Sequence, residues 1–382
     1  MEREELEGWL RLTLTPGVGD ITARKLLGAF GLPGDVFRQT PAALVQVVSE
    51  TCVAALQQAP AGLEALVETT WQWLHGSDAT GAARRVLTLG DAGYPAGLLQ
   101  MADPPLMLYT LGAAGFNLAQ VDRSLAMVGS RNPTPQGLSN ARAFAQALGE
   151  AHIVVVSGLA LGIDGAAHQG ALDAAGSAQR LATVAFVGTG LDRVYPARHR
   201  DLARRIVGQG MLVSEFPLGT PPLTQNFPKR NRLIAGLSQG TLVVEAALQS
   251  GSLITARSAV EQGKEVFAIP GSIHAPQSRG CHALIRQGAK LVESVHDILE
   301  ELHFPMSTHA TSAGSSSAKG PDNMESENPL LEALGHDPVT LDALTARTGW
   351  SASDLQVRLL ELELDGHVAR LPGGLFQRVA SA

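Results

Sequence analysis

The chain has 382 residues, 45% of them hydrophobic, with 41 glycines, a length and make-up that suit two or three globular α/β domains. No apolar run reaches the length of a membrane span, the acidic start Met1–Glu5 lacks signal-peptide character, and two distant cysteines, Cys52 and Cys281, point to a reducing cytoplasm. A net charge of −7 argues against general attraction to nucleic acid, yet a local basic edge remains compatible with it.

Residues 1–82 read as a small helical domain, with leucines at helical spacing around Leu6–Leu12 and again from Ala42 to Leu56. Within it, Leu14–Leu27 looks like a helix-hairpin-helix whose Gly17-Val18-Gly19 turn would aim backbone amides at a DNA phosphate. An ordinary helix packing unit fits the same residues, because Arg24 and Lys25 are its only cations. A proline-bearing connector follows, with Tyr94-Pro95 and Asp103-Pro104-Pro105, and reads as an extended strand joining two domains.

The next part, within residues 83–303, repeats one pattern six times: a short β-branched or apolar run, then a turn of small residues. The runs are Ser124–Val128, Ile153–Val156, Ala182–Val187, Met211–Val213, Thr241–Val244 and Val266–Ile269, separated by helical patterns. Such runs predict buried parallel strands, whose outgoing loops share one edge of the sheet. Those loops are almost free of carboxylates and hold Gly129-Ser130-Arg131, Ser157-Gly158 and Ser250-Gly251-Ser252. Small residues expose backbone N–H groups and arginine offers a two-pronged donor, so the edge suits an anion, phosphate above all. Asn226–Arg232 is the strongest cationic element and is read as lying just ahead of the helix Leu233–Leu237. There Phe227 is placed to stack on a base while Lys229, Arg230 and Arg232 meet successive phosphates; a core role for Phe227 and an ion pair to Glu245 fit equally. Asp164 and His168, four apart on one helix face, read as a cap and a surface hydrogen bond, with no third ligand to make a metal site.

Residues 304–329, rich in Ser, Ala, Gly and Asn, read as a flexible linker. Residues 330–382 then give helix, turn, helix and hairpin around Pro372-Gly373-Gly374, a winged-helix pattern. Its candidate recognition helix is acidic, which opposes a major groove and favours contact with protein. Enzyme signatures are absent: there is no P-loop, no dinucleotide fingerprint after Gly188-Thr189-Gly190, no nucleophile elbow and no carboxylate cluster for two metals.

These stretches together resemble the DprA (Smf) family of DNA-processing proteins of natural transformation. The likeness rests on Tyr94-Pro95, Val128–Arg131, Ser157–Asp164 with His168, Tyr195-Pro196, Ser214–Pro217, Phe227–Leu237, Val244–Ala246, Ser250–Ala256 and Ala268–Gly271, in order from about residue 94 to 298. The resemblance implies an extended Rossmann-like core with a mainly parallel sheet that binds single-stranded DNA without a cofactor or catalysis. It also implies a homodimer and an interaction with RecA, which such a protein helps load onto incoming strands. By the same resemblance the phosphate contacts fall on Gly129, Ser130, Arg131, Lys229, Arg230, Asn231, Arg232, Ser250, Gly251 and Ser252, with Arg198 as a further cation, and Ser157, Gly158 and Phe227 complete the candidate DNA contacts. Two other functions compete: a nucleotide-processing hydrolase of related architecture that recruits Glu245, and a duplex-DNA regulator acting through the wing.

Overall fold

The structure is a computed structural model that describes residues 1–76, 81–176, 180–304, 329–335, 338–371 and 373–378. Its centre is a nine-stranded sheet: β1 (Ala82–Thr88), β2 (Met107–Ala113), β3 (Ser124–Val128), β4 (Val154–Ser157), β5 (Thr183–Phe186), β6 (Gly210–Ser214), β7 (Gly240–Val243), β8 (Glu265–Ala268) and β9 (Lys290–Leu291). The strands lie in the order β1-β2-β6-β5-β4-β3-β7-β8-β9. Pairing is parallel from β6 through to β9, whereas β2 runs antiparallel to β6 and β1 antiparallel to β2. The six predicted parallel strands are present, and three more enlarge the sheet. The proline-bearing connector ends in a strand, as expected. That strand, β2, lies inside the sheet between β6 and the edge strand β1, whose apolar pattern is broken by Arg84 and Arg85 on a half-buried edge.

Sequence alternation explains the layering. Along β3, Leu125 and Met127 face one helical layer, and Ala126 and Val128 face the other. Helices Pro135–Glu150 and Ile163–Ala175 cover the first face, while Asn226–Leu237 and Ser252–Glu261 cover the second. Both faces being covered, β3, β5, β6 and β7 are buried along their whole length and carry almost no charge.

The amino-terminal helices, including Arg3–Leu14, Asp20–Phe30 and Leu63–His75, share one core with the sheet. Trp73 meets the Tyr109 ring edge-on at 6.0 Å, and Thr13 lies against the Met107 sulfur. The helix-hairpin-helix turn docks inward as well: Arg24 donates to the Ala102 carbonyl at 2.9 Å, and Asp20 lies 3.5 Å from Arg232. Of its two cations, Lys25 alone is left unengaged among the described residues.

At the carboxyl end, β10 (Val339–Thr340), β11 (Val368–Leu371) and β12 (Leu375–Arg378) form a separate sheet in the order β10-β12-β11. Helices Pro329–Leu334, Leu341–Thr348 and Ala352–Leu364 pack on it around Leu330, Leu344, Leu355, Leu359 and Phe376. Thr340 and Ser351 cap the second and third of these helices, and Gly349, at φ +71°, makes the turn between them. The expected linker at residues 304–329 falls, but for its two end positions, outside the described residues. Among the described residues no helix is long and apolar enough to cross a membrane.

Arg232 joins three parts of this architecture. Its guanidinium bonds the buried carboxylate of Glu215 just after β6 and the Asp103 carbonyl in the connector, and it faces Asp20 of the helical region. Arg232→Ala leaves Glu215 buried without its partner. Loss of about 3 kcal/mol of unfolding free energy is expected in chemical denaturation, and limited proteolysis of the variant should be faster than that of the parent.

Candidate nucleic-acid interface

Chain direction across the sheet reverses at β3. From there β4, β5 and β6 step one way and β7, β8 and β9 the other, so the loops leaving β3 and β7 part and open a crevice of about 600 Å³. An open α/β sheet presents its ligand site at such a reversal. Gly129 opens the first loop because nothing larger fits: a Cβ there would lie 2.6 Å from the Ile163 side chain and 2.9 Å from the Glu245 carbonyl. The Ser130 amide donates to that carbonyl at 2.7 Å, tying the β3 loop to the β7 loop. The Ser130 hydroxyl accepts from the Asn132 amide at 3.1 Å, which leaves its own proton to donate.

Among the described residues Glu245 pairs with no arginine. One carboxylate oxygen accepts from the Thr134 amide at 2.9 Å and the other from its hydroxyl at 2.5 Å, while Thr134 caps helix Pro135–Glu150. Gly137 supplies the room for that carboxylate, and burial raises its pKa above the ordinary range. Arg131 projects from the same loop, exposed, with its guanidinium 5.5 Å from the centre of the Phe227 ring. Phe227 in turn meets Tyr195 at 5.6 Å between centroids, tilted by 37°. Cation and two rings thus form a continuous surface at the mouth of the crevice.

The β4 loop is built differently from expectation. Ser157 is wholly buried and donates to the Met127 carbonyl at 2.6 Å, so its hydroxyl braces β3 against β4 and does not face solvent. Leu159 adopts a left-handed φ of +57°, held by His168 and His199. His168 is no surface group. Thr183 donates its hydroxyl to the Val155 carbonyl and accepts from His168 Nδ1 at 2.7 Å, which leaves Nε2 to accept from the Leu159 amide at 3.3 Å. Burial, with His199 and Arg230 nearby, pushes the imidazole down to about 3 and keeps it neutral. Asp164 is buried too, accepting from the amides of Gly158 and Ala160 at 3.2 and 3.3 Å. It supplies a carboxylate to the crevice lining, where its spacing to His168 had suggested only a helix cap.

Asn226–Arg232 does not precede a helix; it forms the first two turns of helix Asn226–Leu237. At 100° per residue four consecutive side chains diverge around the axis, so they cannot meet successive phosphates along one line. Lys229 points outward, its ammonium 5.7 Å from the Phe216 ring. Arg230 turns in and is 3% exposed, donating to the Phe186 carbonyl at 2.8 Å beside Asp164. Burial lowers its guanidinium to about 10 and Asp164 opposes that shift, so the two buried charges offset one another in the crevice lining. Asn231 reaches toward the Gly251 carbonyl, and Arg232 is spent on the ion pairs described above.

Helix Ser252–Glu261 begins at the β7 loop, where the Ser250 and Ser252 hydroxyls bond each other at 2.6 Å and Gly251 is exposed. Arg198 is exposed and without an ion pair among the described residues, on the segment that follows Tyr195. The crevice therefore brings together Gly129, Ser130, Arg131, Phe227, Arg230, Asn231, Ser250, Gly251 and Ser252 along its lining. Lys229 and Arg198 lie outside that lining, and Ser157 and Arg232 turn away. Asn132, Thr224 and Gln249 line it as well and carried no signal of their own in the sequence.

Fold and site define an extended Rossmann-like protein whose strand-end crevice is lined by glycine and serine loops, an exposed arginine and an aromatic ring. A family model described as DNA recombination-mediator protein A matches residues 85–303, and a second, the DprA winged helix domain, matches residues 315–374. Protein Smf of Escherichia coli (strain K12) is 45% identical over 285 residues, 74% of each chain. Protein Smf of Synechocystis is 32% identical over 407 aligned residues, covering 99% of this chain and 100% of its own. The crystal structure of DNA processing protein A (DprA) from Streptococcus pneumoniae superposes with a TM-score of 0.65 at 34% identity, covering 79% of this chain and 98% of that one. The chain belongs to the DNA recombination-mediator protein A (DprA/Smf) family.

Two consequences of the site geometry are open to measurement. A Cβ at Gly158 would lie 1.6 Å from Arg230 Nη1, so Gly158→Ala must expel the guanidinium from its bond to Phe186; a loss of at least about 2 kcal/mol in urea unfolding is expected. His168 titrates at 6.5 when unfolded and about 3 when folded, so the unfolded chain takes up the proton first as pH falls between those values. This group's share of stability is complete above pH 6.5 and shrinks below it, by up to ~1.4 kcal/mol per pH unit. The slope difference between the parent and His168→Gln in acid denaturation should show this share, and identical slopes would refute it.

Proposed function

We propose that the chain is a single-stranded DNA-binding, DNA-processing protein of natural transformation, which holds incoming strands in the crevice at the sheet reversal and helps load RecA onto them. The observation that carries this reading is the exposed Arg131 guanidinium over Phe227, itself against Tyr195, beside loops of glycine and serine. A phosphate takes the fork of Arg131, the Ser130 hydroxyl and the amide end of helix Ser252–Glu261, while a neighbouring base lies on the rings. Lys229 and Arg198 extend the positive potential beyond the crevice mouth. A single strand can turn its bases toward the crevice, whereas in a duplex they are paired away from it. DNA processing protein A from Helicobacter pylori, whose structure is described for its unique single-stranded DNA binding mode, supports this reading. It is 29% identical, with a TM-score of 0.51, and covers 57% of this chain and 96% of its own.

The same proposal makes the protein a binder without turnover, acting in the cytoplasm as a homodimer. The groups a hydrolase would recruit are engaged elsewhere: the Ser157 hydroxyl on Met127, both Glu245 oxygens on Thr134, and both His168 nitrogens within the core. No cofactor enters the scheme.

Fluorescence anisotropy with labelled oligothymidine and its duplex across a salt series tests the reading. The single strand should bind tighter. Arg131→Ala should flatten the log–log salt slope by about 0.7, the share of one phosphate contact, whereas Phe227→Ala should cost about 1–3 kcal/mol at unchanged slope. Equal binding by both variants and the parent would move the site off this edge. Nucleoside monophosphates should survive incubation with the protein, and RecA should assemble on the strand faster in its presence.

A further inference from the structure

Helix Ala352–Leu364 of the winged domain has two apolar stripes. Leu355, Leu359 and Leu362 are buried against the rest of that domain. On the opposite side Val357, Leu360 and Leu364 stand 59%, 56% and 79% exposed. At 100° per residue the centres of the two stripes lie on opposite sides of the helix axis, so one packing interaction cannot cover both. The outward residues are spaced three and then four apart, the alternation of a helix seam that receives another helix. Aliphatic side chains confer nothing on a solvated face, and three in register form a stripe instead of scattered exposure.

Charge decides what covers it. Asp354 and Glu361 border the stripe on one side and Glu363 on the other, three acids against the single Arg358 of this helix. Arg358 leans away, 4.6 Å above the Trp350 ring. Arg347 donates to the Ala333 carbonyl, and Arg370 lies over Phe376. A phosphate backbone would thus meet carboxylates with no free arginine from these three to offset them. A second copy fares no better. Antiparallel pairing of two such helices sets Asp354 and Glu361 against Glu361 and Asp354 of the copy, and parallel pairing sets the uncharged Gln356 against Glu361, so neither arrangement supplies a cation. The complement is therefore apolar in the middle, basic at the margins, and belongs to a different chain.

We propose that this outward stripe docks an amphipathic helix of another protein, one whose apolar seam is flanked by lysine and arginine. Val357, Leu360 and Leu364 supply the seam contacts, and Asp354, Glu361 and Glu363 select the partner by charge. The strand-end crevice plays no part in it.

The test uses the full chain and two fluorescent three-heptad peptides with leucine seams, one with lysine at its flanking positions and one with glutamate. The basic peptide should bind at least about tenfold tighter than the acidic one, and Leu360→Asp should weaken it by a similar factor. Oligothymidine binding and the thermal midpoint should stay unchanged in Leu360→Asp, which separates a lost contact from a damaged fold. A second variant, Glu361→Lys combined with Glu363→Lys, should reverse the preference between the two peptides. No binding of the basic peptide, or equal binding of both, overturns the proposal. So does displacement of the peptide by duplex DNA, which would assign the stripe to nucleic acid, or a drop in sedimenting mass with Leu360→Asp, which would assign it to a second copy.

Discussion

Glu245 fastens the two strands between which the sheet reverses. Its carbonyl receives the Ser130 amide, and its side chain receives both donors of Thr134, so one residue of the β7 loop holds the β3 loop and the start of helix Pro135–Glu150. Beyond the last ladder pair of β3 and β7 no strand bond constrains these loops. A crevice at a reversal point is open for lack of backbone pairing, and it needs such a cross-tie to keep a defined shape. Gly129 and Gly137 belong to the same constraint, since a Cβ at either would strike Glu245 or its neighbours. The positions of Ser130 and Arg131, and so the phosphate chemistry proposed for them, follow from this tie.

An acidic protein acquires a basic edge by distributing its arginines over different tasks. Arg230 and Arg232, two positions apart, both turn inward: one meets a carbonyl beside Asp164, the other a buried Glu215. Burying guanidinium groups is costly without compensation; Arg232 has the Glu215 carboxylate, and Arg230 has the Phe186 carbonyl with the charge of Asp164 nearby. What they provide is placement. Arg230 occupies the space above Gly158, and Arg232 holds the connector and the helical region against the sheet. Positive potential for the proposed ligand then rests on the exposed cations, Arg131, Lys229 and Arg198, which form no ion pair among the described residues. The wing follows the opposite scheme, with Asp354, Glu361 and Glu363 outward and Arg347, Arg358 and Arg370 engaged within their own domain.

How much was legible in the sequence divides along burial. The six core strands were readable because a strand covered on both faces must be apolar throughout, a signal independent of its partners. β1 and β2 were harder, since an antiparallel edge tolerates Arg84 and Arg85, and since prolines lead into β2. The loops of the site were legible as glycine and serine turns after strands. The roles of their side chains were not: Ser157, Arg230 and Arg232 look as available as Ser130, Arg131 and Lys229 when written in a line.

The sequence by itself determined the class of fold, the wing and the edge of the sheet at which the crevice lies, because strand periodicity, turn residues and the order of elements act locally. Tertiary structure alone decided which charges face solvent. A helix rotates each successive side chain by 100°, so Lys229 points out, Arg230 into the sheet end and Asn231 and Arg232 to opposite neighbours. The fates of Asp164 and His168 were settled in the same way, by Arg230, Thr183 and Leu159, which are distant in sequence or unremarkable within it. Burial and charge pairing depend on what the rest of the chain brings alongside, and no single stretch of residues contains that information.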